Sequence, residues 1–419
     1  MTKIEFILRE LRAKLWVKPS VMGLLAVGWV ILAYAYASLL PEKLEFGVKR
    51  DILLNLLGIL ASTMLTVATF SVSAMVGAYS AVSTTATPRA TRIVMSDRSS
   101  QNALTSFLSA FIYAIVALVA LSILEYGNNG RLLLFIGYVV MVVWVLVSFV
   151  KWVDRVSNLG RMGDTLERVE AACGEAFSSP VLMGTLGARS AEGEAPAGTE
   201  ILSEQLAYLR NVDVSALDAV AGELGALIRL HCRPGAFVDK MDSLAVLVGG
   251  KKPDEEAMRR IHAAFQMGDS RRVEVDPRFG LVMFAEIADR ALSPGVNDPG
   301  TAISVLGTLV RLLEKWNCHT REREEVRFKN VEVPPFDPQD LMDDAFTAIS
   351  RDGAGIFEVG VRLQKTLQTL AKLGNPELRA AAIRHSRLAL EQSDAALGTE
   401  EHRMIIHKLA TAVGGAGEC

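Results

Sequence analysis

Cysteine is scarce in this sequence. Cys173, Cys232, Cys318 and Cys419 are its only four among 419 residues, widely spaced and all beyond the long apolar runs, so no CxxC pair or closely spaced disulfide framework exists and a reducing compartment is the simplest setting. Histidine is almost as thin. His231, His262, His319, His385, His402 and His407 form no dense ligand cluster, and His231–Cys232 and Cys318–His319 would have to meet in space to hold a metal. No GxSxG, HExxH, P-loop or glycine-rich strand-to-helix turn occurs, which removes the familiar nucleophile, metal and nucleotide signatures. No cofactor, metal or catalytic residue is therefore expected. A net charge of −3 offers no basic field to nucleic acid. The most informative lack is charge inside four long apolar runs, whose interiors hold no Asp, Glu, Lys, Arg or His. Proton relays and ion-coupled transporters need such groups in the bilayer, so a charge-coupled pump is disfavoured.

What is present divides the chain in two. A hydrocarbon core about 30 Å thick needs about 20 helical residues, and four runs qualify, at 20–40, 52–80, 103–124 and 132–153. From 154 to 419 the charge density and helical periodicity are those of a water-soluble domain. The expected fold is mainly α, a four-helix transmembrane domain followed by a mostly helical cytoplasmic domain with a small β-hairpin element near 226–248. In residues 1–19, Ile4, Ile7, Leu8, Leu11 and Leu15 fall at helical spacing between basic residues, the pattern of an amphipathic interfacial helix. No cleaved signal is expected. Arg9, Arg12, Lys14 and Lys18 precede the first run, Arg89, Arg92 and Arg98 separate the second from the third, and Lys151 at the end of the fourth is followed by Arg155 and Arg161. The positive-inside rule then puts both termini in the cytoplasm, against some basic charge at Lys43, Lys49 and Arg50.

The second run is unusual for its hydroxyls. At about 100° per residue, Ser62, Thr66, Thr69, Ser73, Gly77, Ser80 and Thr84 share one arc, while Met64, Ala68, Met75, Ala78 and Val82 point away. Two roles fit such a stripe. Small residues and hydroxyls can glue helices together, or the same face repeated around an oligomer can line a wet path for a small ion or solute. The run is also too long for a bilayer, and Pro88 is expected to stop it.

Two stretches, TFSVSAMVGAYSAVSTTATPRATRIVMSDRSSQNAL at 69–104 and ALSPGVNDPGTA at 291–302, resemble the bacterial predicted membrane proteins of domain-of-unknown-function family 2254. The family's Ser-Pro-Arg, Asp-Arg and Gln correspond to Thr87, Pro88 and Arg89, to Asp97 and Arg98, and to Gln101, with Thr in place of Ser; Val296 replaces an Ile in the second signature. The resemblance implies four spans and a cytoplasmic domain in a bacterial inner membrane, and carries no established activity.

In the second half, 183–200 reads as a tolerant loop and Ile201–Leu206 as helical, whereas Ala226–Val248 switches to β-type runs about Pro234-Gly235. Lys240 in this unit lacks the second half-motif of a lipoyl-like module, so no acylated lysine is expected. Phe279–Ala291 reads as a buried helix broken by Ser293-Pro294-Gly295, after which Asn297 or Asp298 caps a second helix through Thr301. This loop is either a helix–loop–helix corner or a terminus able to hold an anion or a neighbour's carboxylate. A strand near 326–338 and helices near 339–351, 356–373, 376–392 and 399–411 complete the chain. The expectations for function are a homo-oligomeric channel or pore-like protein lined by the second span or, in the alternative, a membrane-anchored sensor or scaffold. The partners implied are the lipid bilayer, further copies, and a small ion or solute.

Overall fold

The computed structural model describes residues 17–37, 48–85, 87–95, 98–158, 162–194, 196–321 and 325–415. The interfacial helix expected at 1–19 lies outside them up to residue 16. The chain forms two compact units, Met1–Thr84 with Thr91–Thr165, and Thr85–Ala90 with Leu166–Cys419.

The N-terminal unit is built from α1 (Val17–Ala37), α2 (Arg50–Thr85), α4 (Arg98–Ile123) and α5 (Asn128–Asn158), each long and apolar enough to cross a membrane. These are the four expected spans. Between α2 and α4 lies a short helix, α3 (Pro88–Met95), where only a polar connection was expected. Pro88 opens that helix instead of merely closing α2: Thr87 Oγ1 caps it by accepting from the Ala90 N–H at 3.2 Å, and proline suits a first helical turn. α4 is the packing centre. Its Ala103, Ser106, Phe107, Ala110, Ala114 and Ala117 are buried, and this small-residue face lets α1, α4 and α5 approach closely. Side chains also donate to backbone carbonyls of this unit, one within a helix and two at a helix end. Tyr113 donates to Leu134 O at 2.6 Å, and Arg50 caps the C-terminal end of α4 by donating to Leu121 O at 2.8 Å and Ser122 O at 3.1 Å.

The C-terminal unit opens with α6 (Met162–Phe177) and α7 (Pro180–Met183) and continues as an αβ layer. Its strands are β1 (Ala188–Ser190), β2 (Thr199–Leu202), β3 (Ala207–Val212), β4 (Leu227–Leu230), β5 (Phe237–Val238), β6 (Ser243–Val248), β7 (Phe265–Gly268) and β8 (Phe328–Val333), with α8 (Val214–Leu224) and α9 (Glu255–Ala264) between them. Five strands form a mixed sheet in the order β1-β8-β4-β6-β2 and three form a second sheet, β5-β3-β7. The expected hairpin is real in that β4 pairs antiparallel with β6, but it is the middle of a sheet whose β8 runs parallel to both β1 and β4. Two sequence expectations fail here. The supposed loop 183–200 contributes β1 and part of β2, and Ile201–Leu206 is the end of β2 and a Ser203 turn. Both strands are short edges with exposed polar positions and partners far along the chain, so no local period announces them. The connection between them is also anchored. Arg229 on β4 donates to the carbonyls of Glu192, Gly193 and Glu194 while paired with Glu332 at 2.7 Å.

The remaining helices are α10 (Pro277–Leu292), α11 (Pro299–Arg321), α12 (Pro338–Asp352), α13 (Phe357–Ala371), α14 (Pro376–Ala396) and α15 (Glu400–Gly414). α10 packs on α11 and α12, and α14 on α12, α13 and α15. The stripe Val359, Leu363, Leu367 and Leu370 is buried in this core. At the start of α10, Asp276 is 1% exposed, accepts from the Phe279 N–H at 3.2 Å and binds Arg271 Nε at 2.6 Å. Gly235, at φ 102°, lies against that carboxyl, where a side chain would collide with it.

Candidate functional site

The stripe on α2 is not used to pack this unit. Ser62, Thr66, Thr69, Ser73, Gly77 and Ser80 are all exposed, whereas Leu53, Leu57, Leu60, Met64, Ala68, Ser71 and Met75 are buried on the opposite side. Thr84 is helical and its side chain lies outside those described. Four of the hydroxyls bond back to their own helix: Ser62 to Ile59 O at 3.1 Å, Thr66 to Ser62 O at 3.0 Å, Thr69 to Leu65 O at 2.8 Å and Ser73 to Thr69 O at 3.2 Å. A hydroxyl has one proton to give, so what these four turn outward is the acceptor side of the oxygen. Exposed Leu65, Phe70, Val72 and Val76 flank the stripe, giving a polar strip with apolar shoulders. Asp51 and Asn55, eleven and seven residues before Ser62, are exposed and fall in the same arc. They carry polar groups three turns further along the same arc, interrupted there by exposed Ile59, and the same spacing rule finds them.

Of the three basic residues after α2, Arg89 forms an ion pair with Glu286 on α10. The side chains of Arg92 and Arg98 lie outside those described. One turn beyond Glu286, Asp289 meets Asp352 at the end of α12, and Arg351 donates to Asp352 at 2.6 Å and to Asp289 at 3.5 Å. Its hydrogen bond with Asp352 and partial burial push the Asp289 carboxyl up to about 6, while Arg351 holds Asp352 below its ordinary value.

The corner after α10 closes on itself. Ser293 Oγ donates to Arg290 O at 2.6 Å, the Asn297 N–H donates to Ser293 O at 2.9 Å and the Asp298 N–H to Ala291 O at 2.7 Å. Asn297 sits at φ 50°, a conformation asparagine tolerates. Asp298 is the cap. Its carboxylate accepts from the Thr301 N–H at 3.1 Å and the Thr301 hydroxyl at 2.6 Å, bonds that lower its pKa. The N-terminus of α11 is thus filled by the chain's own carboxylate, with Pro299 in its first turn.

With the spans, the stripe and this corner in place, the family likeness can be stated over the whole chain. The family model for predicted membrane proteins DUF2254 matches residues 12–369. The chain belongs to that family. It is also similar to the uncharacterized proteins Mb1321c of Mycobacterium bovis and Rv1290c of Mycobacterium tuberculosis, each 34% identical over 118 residues, which is 25% of this chain and 21% of the relative. The matched part thus spans about a fifth of those relatives' length. No solved structure matches the chain.

In this DUF2254 member the two stretches that carry the likeness sit at distinct places, one along the end of α2 and the segment after it, the other at the α10–α11 corner. Among the described residues no group of three or more His, Cys, Asp or Glu side chains is arranged to hold a metal ion. Cys173 and Cys232 are kept as thiols by burial, which pushes Cys232 up to about 11 and Cys173 up to about 12. From the sequence, Glu286 and Asp289 read as a solvent face or as partners of Arg271, Arg272 and Arg290; their actual partners Arg89 and Arg351, and Asp352 with them, are not foreseen, because nothing local shows that α12 and the segment after α2 meet α10.

Proposed function

We propose that this membrane protein is a homo-oligomeric channel or pore-like protein of the bacterial inner membrane, with α2 lining the path and the C-terminal unit acting as a cytoplasmic vestibule or gate. The observation that carries the reading is the outward orientation of the stripe. Hydroxyl and glycine residues that served only to glue this chain's own spans would be buried among them, as Ser106, Ser109 and Ala110 of α4 are; those on α2 face away. In lipid such a strip gains nothing over leucine. Repeated around a symmetry axis it gives a wet, acceptor-lined surface with apolar shoulders for neighbouring copies. Termini on the cytoplasmic side and the absence of catalysis belong to the same proposal.

The alternative, an anchored sensor or scaffold, is favoured by one observation: the hydroxyl protons of Ser62, Thr66, Thr69 and Ser73 are satisfied within the helix, so that part of the face tolerates lipid. Purified protein in planar bilayers separates the two. The pore reading expects discrete conductance steps that change in size in a Ser73→Leu variant. Absence of conductance from protein that is a monomer in native mass spectrometry would overturn it and leave the scaffold.

A further inference from the structure

The segment that directly follows the second span in the chain groups with the C-terminal unit. Thr87 is 7% exposed and Ala90 is fully buried, so the segment is not a free connection. Arg89, between them, pairs with Glu286. The helix that carries Glu286 is embedded on its other side, with Leu281, Met283, Phe284, Ile287, Ala288 and Ala291 buried. A helix so packed moves as a body or not at all. It also leads straight into the Ser293–Asp298 corner and meets α12 through Asp289, Arg351 and Asp352. At the other end, α2 is one continuous helix of 36 residues, so a displacement of its last turn is carried along the whole span.

We infer that the Arg89–Glu286 ion pair is a latch, through which the C-terminal unit holds and releases the end of the second span. Its strength suits that role. The side chains are 54% and 27% exposed, and an ion pair that solvated shifts a two-state equilibrium by about fivefold at most. That is enough to bias two positions and too little to lock one. Permanent attachment would call for a buried, bidentate pair such as an Arg–carboxylate fork. The latch does not depend on what α2 carries: it acts on the segment that ends that helix whether the stripe lines a path or faces lipid.

The test uses the full chain in lipid nanodiscs, with Thr87→Cys as reporter in a Cys318→Ser, Cys419→Ser background and that background alone as the blank. Arg89→Glu and Glu286→Arg are each expected to speed reaction of Cys at 87 with a soluble maleimide by about fivefold, and the two together to return it to within about twofold of the parent. The milder Glu286→Gln should raise the rate by about threefold. Single variants that react at the parent rate, or a double variant no closer to the parent than the singles, would overturn the latch. If a charge reversal unfolds the unit, the buried Cys173 becomes reactive as well; Glu286→Gln then decides alone, and an unchanged rate refutes the proposal.

Discussion

Removing the charge of Arg271 while keeping its length, as Arg271→Met, should strand Asp276. The guanidinium lies over the Phe279 ring at 5.1 Å from its centroid, and Met preserves much of that packing. What goes is the charged hydrogen bond to a carboxylate that is 1% exposed. Burial already holds the Asp276 pKa above its ordinary value in spite of Arg271, so the stranded group escapes by binding a proton. For an aspartate at pH 7 that costs about 4 kcal/mol, which caps the damage; breaking buried pairs costs about 3–5 kcal/mol. The expected loss is therefore about 3 kcal/mol at pH 7, a rise of roughly a hundredfold in hydrogen exchange across Pro277–Leu292 if those amides open with the unit. The sign with pH follows from a raised carboxyl pKa. The protonated form is the one folding favours, so the variant's deficit is small near pH 4.5, at about 1 kcal/mol, and grows as pH rises through the folded-state value. Adding Asp276→Asn should recover most of the loss, since asparagine caps a helix about as well as aspartate and leaves no charge to strand. A deficit of equal size at pH 4.5 and pH 7, or no recovery with asparagine, would refute this account of the α10 N-terminus.

Arg229→Ala should cost about 2 kcal/mol by removing the close partner of Glu332, which is 7% exposed at its side chain and keeps only Arg189 at 3.6 Å, and should speed exchange in 191–198 as well as in β4 and β8; exchange confined to β4 would contradict the anchoring role. Asp289→Asn should abolish a titration near pH 6. In the parent the α10–α12 contact is tighter below that pH and loosens as pH rises through it, measurable as the pH dependence of exchange at the end of α12. Ala114→Leu, placed at a position with no exposed surface, should overpack α4 and destabilise the N-terminal unit by about 1–3 kcal/mol, whereas Thr69→Leu on the exposed stripe should leave the monomer fold intact and alter only assembly; equal effects at both sites in thermal-shift assays would mean the stripe is a packing face.

Much of this architecture is legible because its signals are local. The four apolar runs, a cap at Asn297 or Asp298 before Pro299, and the helices after Pro338 each follow from residues adjacent in sequence; that Asp298 is the cap comes from the structure. What was not legible depends on partners far along the chain. β1 and β2 are recognised only by pairing with β8 and β6, so 183–200 carries no period to read. Pro88 is legible as the stop that follows α2, which ends at Thr85, but not as the first residue of α3, because the cap that Thr87 supplies to the Ala90 N–H is seen only in the folded segment. The hydroxyl arc could be drawn from spacing alone, but its outward direction could not. That depended on Ala110, Ala114 and Ala117 making α4, not α2, the centre of the bundle.

On the pore reading, the stripe faces water in the assembled membrane protein. Single cysteines at Ser62, Thr66, Thr69, Ser73, Gly77 and Ser80, and at the flanking Leu65, Phe70 and Val76, would be exposed to a membrane-impermeant thiol reagent in native membranes. A water-facing stripe should label with a three-to-four-residue period along its length and little at the flanks. Labelling only at the two ends of α2, with Thr69 and Ser73 as inert as Phe70, would contradict it.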